Sequence, residues 1–291
     1  MFARVSPEHK VFIVEASKQD NQVGAMTGAG VNDAPALMRS DIGVDMGVTG
    51  TDRARETADM VLTDDNYASI VAAIEQGRII YANIRKFVYY LLSCNLAEIV
   101  SILVAILAGL PSPLTAIQLL WLNLLTDGAP AIALGLEPGE PRIMERPPRP
   151  AKEPIINREM WGRIGIQTLA IAGVTLSAYL IGLRLFPEMA RTMAFATISF
   201  SELLRAFTAR SLQVPLLRMG LFSNRAMFYA VVASVLMLLV VIYVPVLQPI
   251  FNTVPLGPEQ WRVVLPLLLV PALVAEFSKF ILGRRAPVGK A

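Results

Sequence analysis

The stretch YYLLSCNLAEIVSILVAILAGLPSPLTAIQLLWLNLLTDGAPAIALGL, residues 89–136, decides how the rest of the chain is read. It is two long apolar segments joined by the turn Gly109-Leu110-Pro111-Ser112-Pro113, and each carries polar groups at a depth where lipid should forbid them. On the first segment Asn95 and Glu98 stand i, i+3 apart, so on a helix they share a face. On the second, Asn123, Thr126 and Asp127 stand at i, i+3 and i+4, again on one face. An ionised carboxylate at membrane depth costs about 2.5–3.5 kcal/mol on insertion scales, so it normally faces a bundle interior, a water cavity or a bound cation. Oxygen-bearing side chains gathered on two adjacent helices suit a hard cation. Pro130, just after Asp127, has no backbone N–H and leaves an upstream carbonyl without its helical donor. Such carbonyls are tolerated at this depth only where protein, water or an ion satisfies them. A plainer role also fits these residues, because Asn and Thr often bond helices to one another in membranes.

The chain of 291 residues is 54% hydrophobic, too apolar for a soluble protein of this length. Apolar runs long enough to cross a bilayer recur at about 87–108, 115–136, 162–186, 190–209, 226–248 and 262–282. Six crossings return the C-terminus to its starting side. Basic residues favour one face: Arg142, Arg146, Arg149, Lys152, Arg158 and Arg163 follow the second span, Arg210, Arg218 and Arg225 the fourth, and Arg284, Arg285 and Lys290 the last. The other face has Arg184, Arg191 and Arg262, so the N-terminal segment, the basic loops and the tail are expected in the cytoplasm. The net charge of +3 is explained by these flanks and asks for no nucleic-acid partner; the expected partner is the lipid bilayer. The first residues contain no apolar run of the kind a cleavable signal peptide needs. Cys94, the single cysteine, excludes an internal disulfide and reads as a small packing residue within a span.

Before the spans the pattern alternates helix and strand. Ser6 and Pro7 open a helix to Ser17, and Val23 to Thr27 is a strand running into the loop Gly28-Ala29-Gly30. Asp33 to Ser40 reads as a helix, Ile42 to Met46 as a strand, Thr51 to Ala58 as a helix, Met60 to Leu62 as a strand and Tyr67 to Gly77 as a helix. This alternation implies a parallel sheet. A basic amphipathic stalk from Ile79, with Tyr81, Tyr89 and Tyr90 near the interface, then passes into the first span. The Pro-rich segment from Glu137 to Pro154 reads as a stiff strap. In the fourth span Glu202 and Arg205 stand i, i+3 apart. Either they neutralise each other, with Arg205 reaching toward the interface, or Glu202 joins the cavity of Glu98 and Asp127.

The stretch from Met26 to Leu37, MTGAGVNDAPAL, resembles the hinge motif TGDGVNDAPAL of P-type ATPases at every position but Ala29. Phe2 to Lys10 is similar to the family segment bearing the phosphate-contacting lysine, which falls on Lys10. Asn95-Leu96-Ala97-Glu98 and Asn123 to Gly128 are similar to the fifth and sixth membrane helices of calcium-type members. The resemblance covers nearly the whole chain and implies the C-terminal half of a calcium-type P-type cation-transporting ATPase. It implies a partial haloacid-dehalogenase-like α/β (Rossmannoid) segment, residues 1–78, as the end of the phosphorylation domain. An all-α six-helix transmembrane bundle, residues 79–291, would correspond to the family's helices five to ten. Lys10, Asn32 and Asp33 would be a remnant of the phosphate site. Asn95, Glu98, Asn123, Thr126, Asp127 and Glu202 would hold a transported cation, Ca²⁺ or a similar divalent ion such as Mn²⁺. The mixture of neutral oxygens with carboxylates suits Ca²⁺.

The family uses ATP and Mg²⁺, but the sequence lacks the DKTGT motif of the phosphorylated aspartate, and its Mg²⁺ aspartate is replaced by Ala29. The chain by itself is therefore expected not to bind ATP and Mg²⁺ productively or to catalyse ATP hydrolysis. Alternatives are a non-enzymatic membrane subunit that completes a separately encoded N-terminal pump half, or a purely structural bundle. Arg205, for which the family pattern supplies no arginine, could stand in for one transported ion. A multi-pass protein of a prokaryotic plasma membrane is the expected setting.

Overall fold

The Ser6 hydroxyl accepts a hydrogen bond from the His9 amide at 3.4 Å, and Pro7 takes the first helical position, where a missing N–H is harmless. They open α1 (Pro7–Gln19). The computed structural model describes residues 6–20, 23–140, 142–150 and 153–282. Phe2 to Val5, Lys152, Arg284, Arg285 and Lys290, named above, lie outside the described residues. The chain forms two units, Met1–Ile79 with Glu140–Glu153, and Ile80–Gly139 with Pro154–Ala291.

In the first unit, β1 (Ala25–Gly28), β2 (Ile42–Met46) and β3 (Met60–Leu62) form a parallel sheet in the order β1-β2-β3. Its crossovers carry α2 (Ala34–Arg39) and α3 (Asp52–Thr57), the latter capped by the Thr51 hydroxyl. Ala36, Leu37, Val44, Ala54 and Leu62 make the apolar interior. At Gly43 an added Cβ would lie 2.9 Å from the Leu37 carbonyl oxygen, so this glycine lets α2 rest directly on β2. The strap is anchored here: the Arg78 guanidinium donates to the carbonyls of Ile143 (3.0 Å) and Arg146 (2.8 Å). Asp45 is the discordant residue. It lies opposite Gly28 in the ladder, is fully buried, and neither carboxylate oxygen has a hydrogen-bond partner. Burial pushes its pKa up, against the pull of the Arg55 charge.

α4 (Tyr67–Leu107) runs 41 residues unbroken, so the separate helix, stalk and first span read from the sequence are one element. Gly77 does not interrupt it, consistent with the modest cost of one glycine inside a long helix. The second apolar segment is not a regular helix. It comprises α5 (Ala116–Trp121), a π-helical turn (Leu122–Thr126) and α6 (Gly128–Gly135). Four further long helices complete the second unit: α7 (Arg158–Leu185), α8 (Ala190–Ala209), α10 (Arg225–Tyr243) and α12 (Pro258–Leu282). Short helices α9 (Leu216–Met219) and α11 (Gln248–Phe251) flank α10.

Among the described residues five helical stretches are long and apolar enough to cross a membrane, one fewer than the six spans expected from the sequence. The exception is α8. It is a 20-residue helix at the expected place, but hydroxyls together with Arg191, Glu202 and Arg205 dilute its apolar character. α7 and α12 pack on α8 and on each other, α10 packs on α8 and α6, and most of α8 is buried among them.

A buried ion pair ties the ends of these helices together. Glu137, just beyond α6, and Arg210, just beyond α8, are both buried and bond at 2.8–3.0 Å. The remaining donors of Arg210 reach the Gly220 and Leu221 carbonyls and the Ser223 hydroxyl. Asn224, capping α10, donates to Glu137 at 2.7 Å and to the Ala133 carbonyl at 3.0 Å. Asn83 of α4 donates to the Glu137 carbonyl at 2.7 Å.

Removing one member strands a buried charge, so Arg210→Met should destabilise the second unit by about 3–5 kcal/mol, and Glu137→Gln with Arg210→Met by clearly less than the two single changes together. Denaturation in detergent checks both. For Asp45 the sign is opposite. Because its folded pKa is raised, its contribution to stability is greatest below its unfolded value and is lost as pH rises through the folded one, so at neutral pH it is a liability. Asp45→Asn should therefore stabilise the first unit at pH 7, with the gain shrinking as the pH falls toward 4; thermal melts across that range measure it.

Candidate cation site

The π-helical turn sets the geometry of the second segment. The Asp127 amide donates to the Leu122 carbonyl at 2.8 Å, an i to i−5 bond that accommodates one extra residue. The turn ends where Pro130 withholds an N–H, and the Ala131 amide resumes the ladder on the Asp127 carbonyl at 2.9 Å. The widened turn carries Asn123 to Glu98 of α4, and Asp127 to Tyr90 of α4 and close to Glu202 of α8. Asn123 donates to Glu98 Oε2 at 2.9 Å and to the Leu119 carbonyl at 3.0 Å. Asp127 accepts from the Tyr90 hydroxyl at 2.8 Å through Oδ1.

What these groups lack is as informative. Glu98 Oε1, Thr126 Oγ1, Asp127 Oδ2, Ser201 Oγ and both oxygens of Glu202 are buried with no hydrogen-bond partner. Glu98 is 4% exposed, and Asp127 and Glu202 are wholly buried. A buried polar group left unpaired costs about 1–3 kcal/mol, and a charged one more. An apolar bundle does not assemble such a cluster without compensation, and oxygens of carboxylate and hydroxyl type fit a hard divalent cation.

The structure thus brings Glu98, Asn123, Thr126, Asp127 and Glu202 to one region. Asn95 is engaged differently: it is half-buried and its amide donates to the Leu91 carbonyl of its own helix at 2.9 Å. Arg205 does not pair with Glu202, nor does it reach an interface. It is 1% exposed, its guanidinium carbon lies 4.3 Å from the Tyr89 ring centroid, and Nη1 donates to Thr208 at 3.1 Å, while Nε and Nη2 lack hydrogen-bond partners. Sequence reading placed Tyr90 near the interface and gave Cys94 only a packing role. Both are fully buried, and Cys94 Sγ lies within 4.8 Å of carboxylate oxygens of Asp127 and Glu202. The spacing of Tyr90, Cys94 and Glu98, four residues apart in turn, was the signal that puts all three on one helical face.

In the first unit, Lys10 Nζ meets Asp33 Oδ1 at 2.7 Å, and Asp33 Oδ2 accepts from the Ala29 and Gly30 amides, each at 3.3 Å. Burial would raise the Asp33 pKa, but Lys10 and these amides outweigh it and hold the carboxyl below its usual value. Asn32 is exposed in the short 3-10 turn Val31–Asp33. The corner does not present a Mg²⁺ ligand pair: Ala29 has no side-chain oxygen, and the carboxylate of Asp33 is taken up by a lysine and two amides.

Residues 111–281 match the family described as "Cation transporting ATPase, C-terminus". Over 281 residues, 96% of the chain, it is 46% identical to a "Calcium-transporting ATPase" of Bacillus subtilis, of which it covers 32%. It is 39% identical over 292 residues to "Calcium-transporting ATPase type 2C member 1" of Homo sapiens, covering all of this chain and 32% of that protein. A "Calcium-transporting ATPase 1" of Yarrowia lipolytica is 39% identical over 291 residues, 98% of this chain and 31% of the relative. The chain spans about a third of the length of the curated relatives it matches. Five apolar helices and these relatives make it an integral membrane protein. The chain belongs to the cation-transporting ATPases and corresponds to the C-terminal region of a calcium-transporting P-type pump.

Proposed function

We propose that the second unit holds Ca²⁺ in transit through an ATP-driven pump, with Glu98, Asn123, Thr126, Asp127 and Glu202 as its ligands and Asn95 at the margin. The observation that carries this reading is the set of buried oxygens without partners contributed by α4, the π-helical turn with Asp127, and α8. A hard cation with six to eight oxygen ligands takes up such a mixture of carboxylates, amide and hydroxyl. The names of the relatives support Ca²⁺ as the cargo. The Arg205 charge, one helical turn from Glu202, offsets part of the negative charge and lowers the number of cations needed.

Residues 1–78 are the end of a haloacid-dehalogenase-like phosphorylation domain, and residues 79–291 the membrane domain with its strap. Lys10, Asn32 and Asp33 line the phosphate corner. Without a carboxylate at Ala29 the corner is poor at holding Mg²⁺, so phosphoryl transfer here is impaired. Both termini and the basic loops face the cytoplasm, as their excess of arginine favours, and the membrane is the plasma membrane of a prokaryote.

Equilibrium binding of radioactive Ca²⁺ to the chain in lipid nanodiscs tests the site. Glu98→Gln, Asp127→Asn and Glu202→Gln should each weaken binding by about tenfold or more, equivalent to about 1.4 kcal/mol. Equal binding by all three variants and the wild type would sink the assignment.

A further inference from the structure

Cys94 stands in the same region as the orphaned carboxylates but belongs to a different chemical class. Its Sγ, an oxygen of Asp127 and an oxygen of Glu202 all lie within 4.8 Å of one another. All three side chains are wholly buried. Glu202 has no hydrogen-bond partner on either oxygen, and Asp127 has none on Oδ2, its Oδ1 being occupied by Tyr90. The thiol comes from α4 and the carboxylates from the end of the π-helical turn and from α8, so the three converge from separate elements.

The geometry points to a second coordination mode in this cluster: Cys94, Asp127 and Glu202 bind a thiophilic divalent cation, Cd²⁺ or Zn²⁺. A thiolate selects for soft ions, which take few ligands, whereas a hard ion needs the wider set of oxygens that includes Glu98, Asn123 and Thr126. Zinc, with bonds of about 2.3 Å to sulfur and about 2.1 Å to oxygen, holds tetrahedral ligand atoms roughly 3.5 Å apart. The three groups therefore need to close by at most about 1.3 Å, within the reach of side-chain rotation, and less for the larger Cd²⁺. Binding requires the thiolate. As the metal–sulfur bond forms, the Sγ–H bond breaks and its proton leaves to solvent, with no change in oxidation state. The soft ion then occupies Asp127 and Glu202, so it excludes Ca²⁺. Only that competition rests on the Ca²⁺ reading above; the thiol chemistry stands apart from it.

Because Cys94 is the single cysteine in the chain, thiolate-to-metal charge-transfer absorption reports on this site alone. The full 291-residue chain in nanodiscs is titrated with Cd²⁺, and Ca²⁺ binding is measured on the same preparation. The wild type should develop a saturable ultraviolet band that Zn²⁺ suppresses by displacement. Cys94→Ser should lose the band and bind Cd²⁺ about 100-fold less tightly while retaining Ca²⁺ affinity within about twofold, and Glu202→Gln should weaken both ions. A normal Cd²⁺ band in a preparation that fails to bind Ca²⁺ would support the thiol site and count against the Ca²⁺ reading. Absence of the band in the wild type, or undiminished Cd²⁺ affinity in Cys94→Ser, overturns the thiol site whatever Ca²⁺ does.

Discussion

Carboxylate oxygens without hydrogen-bond partners, enclosed by apolar helices, are the condition to which the second unit is built. The same bundle contains two buried polar groupings that answer it in opposite ways. At the helix ends, Glu137 and Arg210 satisfy each other and every neighbour around them, with Asn224, Ser223 and two carbonyls completing the shell. In the interior, Glu98, Asp127 and Glu202 keep oxygens with nothing to bond. One grouping is complete as protein. The other leaves buried oxygens unpaired.

The polar interior dictates local structure as much as packing does. A regular α-helix through 116–135 would rotate Asn123 and Asp127 differently about the axis, since each residue turns the chain by about 100°. The extra residue of the π-helical turn lets Asn123 reach Glu98 while Asp127 reaches Tyr90. α8 makes the complementary compromise. It admits Glu202, Arg205 and a run of hydroxyls, and it can do so because α7, α10 and α12 shield it.

Much of this was legible in the letters. The i, i+3 and i, i+4 spacings of Asn95, Glu98, Asn123, Thr126 and Asp127 are face rules, and for four of these residues the face is also the meeting place. Ser6, Pro7 and Thr51 marked helix starts because capping is a local interaction. The strands at 42–46 and 60–62 were readable from short, largely apolar runs between turns. What escaped was non-local or depended on rotation about an axis. The π-helical turn leaves no signature beyond Pro130, the partner of Arg210 lies 73 residues away, and Asn95 spends its amide on its own helix. The excess polarity of α8 is visible in sequence, but its tolerance depends on neighbours that only the fold supplies.

The fixed ends of the second segment have a mechanical corollary. At one end Thr115 and Gln118 cap α5, with Gln118 also bonded to the Phe251 carbonyl; at the other, Glu137 is locked to Arg210 and Asn224. A rod pinned at both extremities cannot relieve a surplus residue by screwing about its length. Whatever slack the surplus represents is confined to Leu122–Asp127, so any rearrangement of this strut must be expressed where its oxygens are.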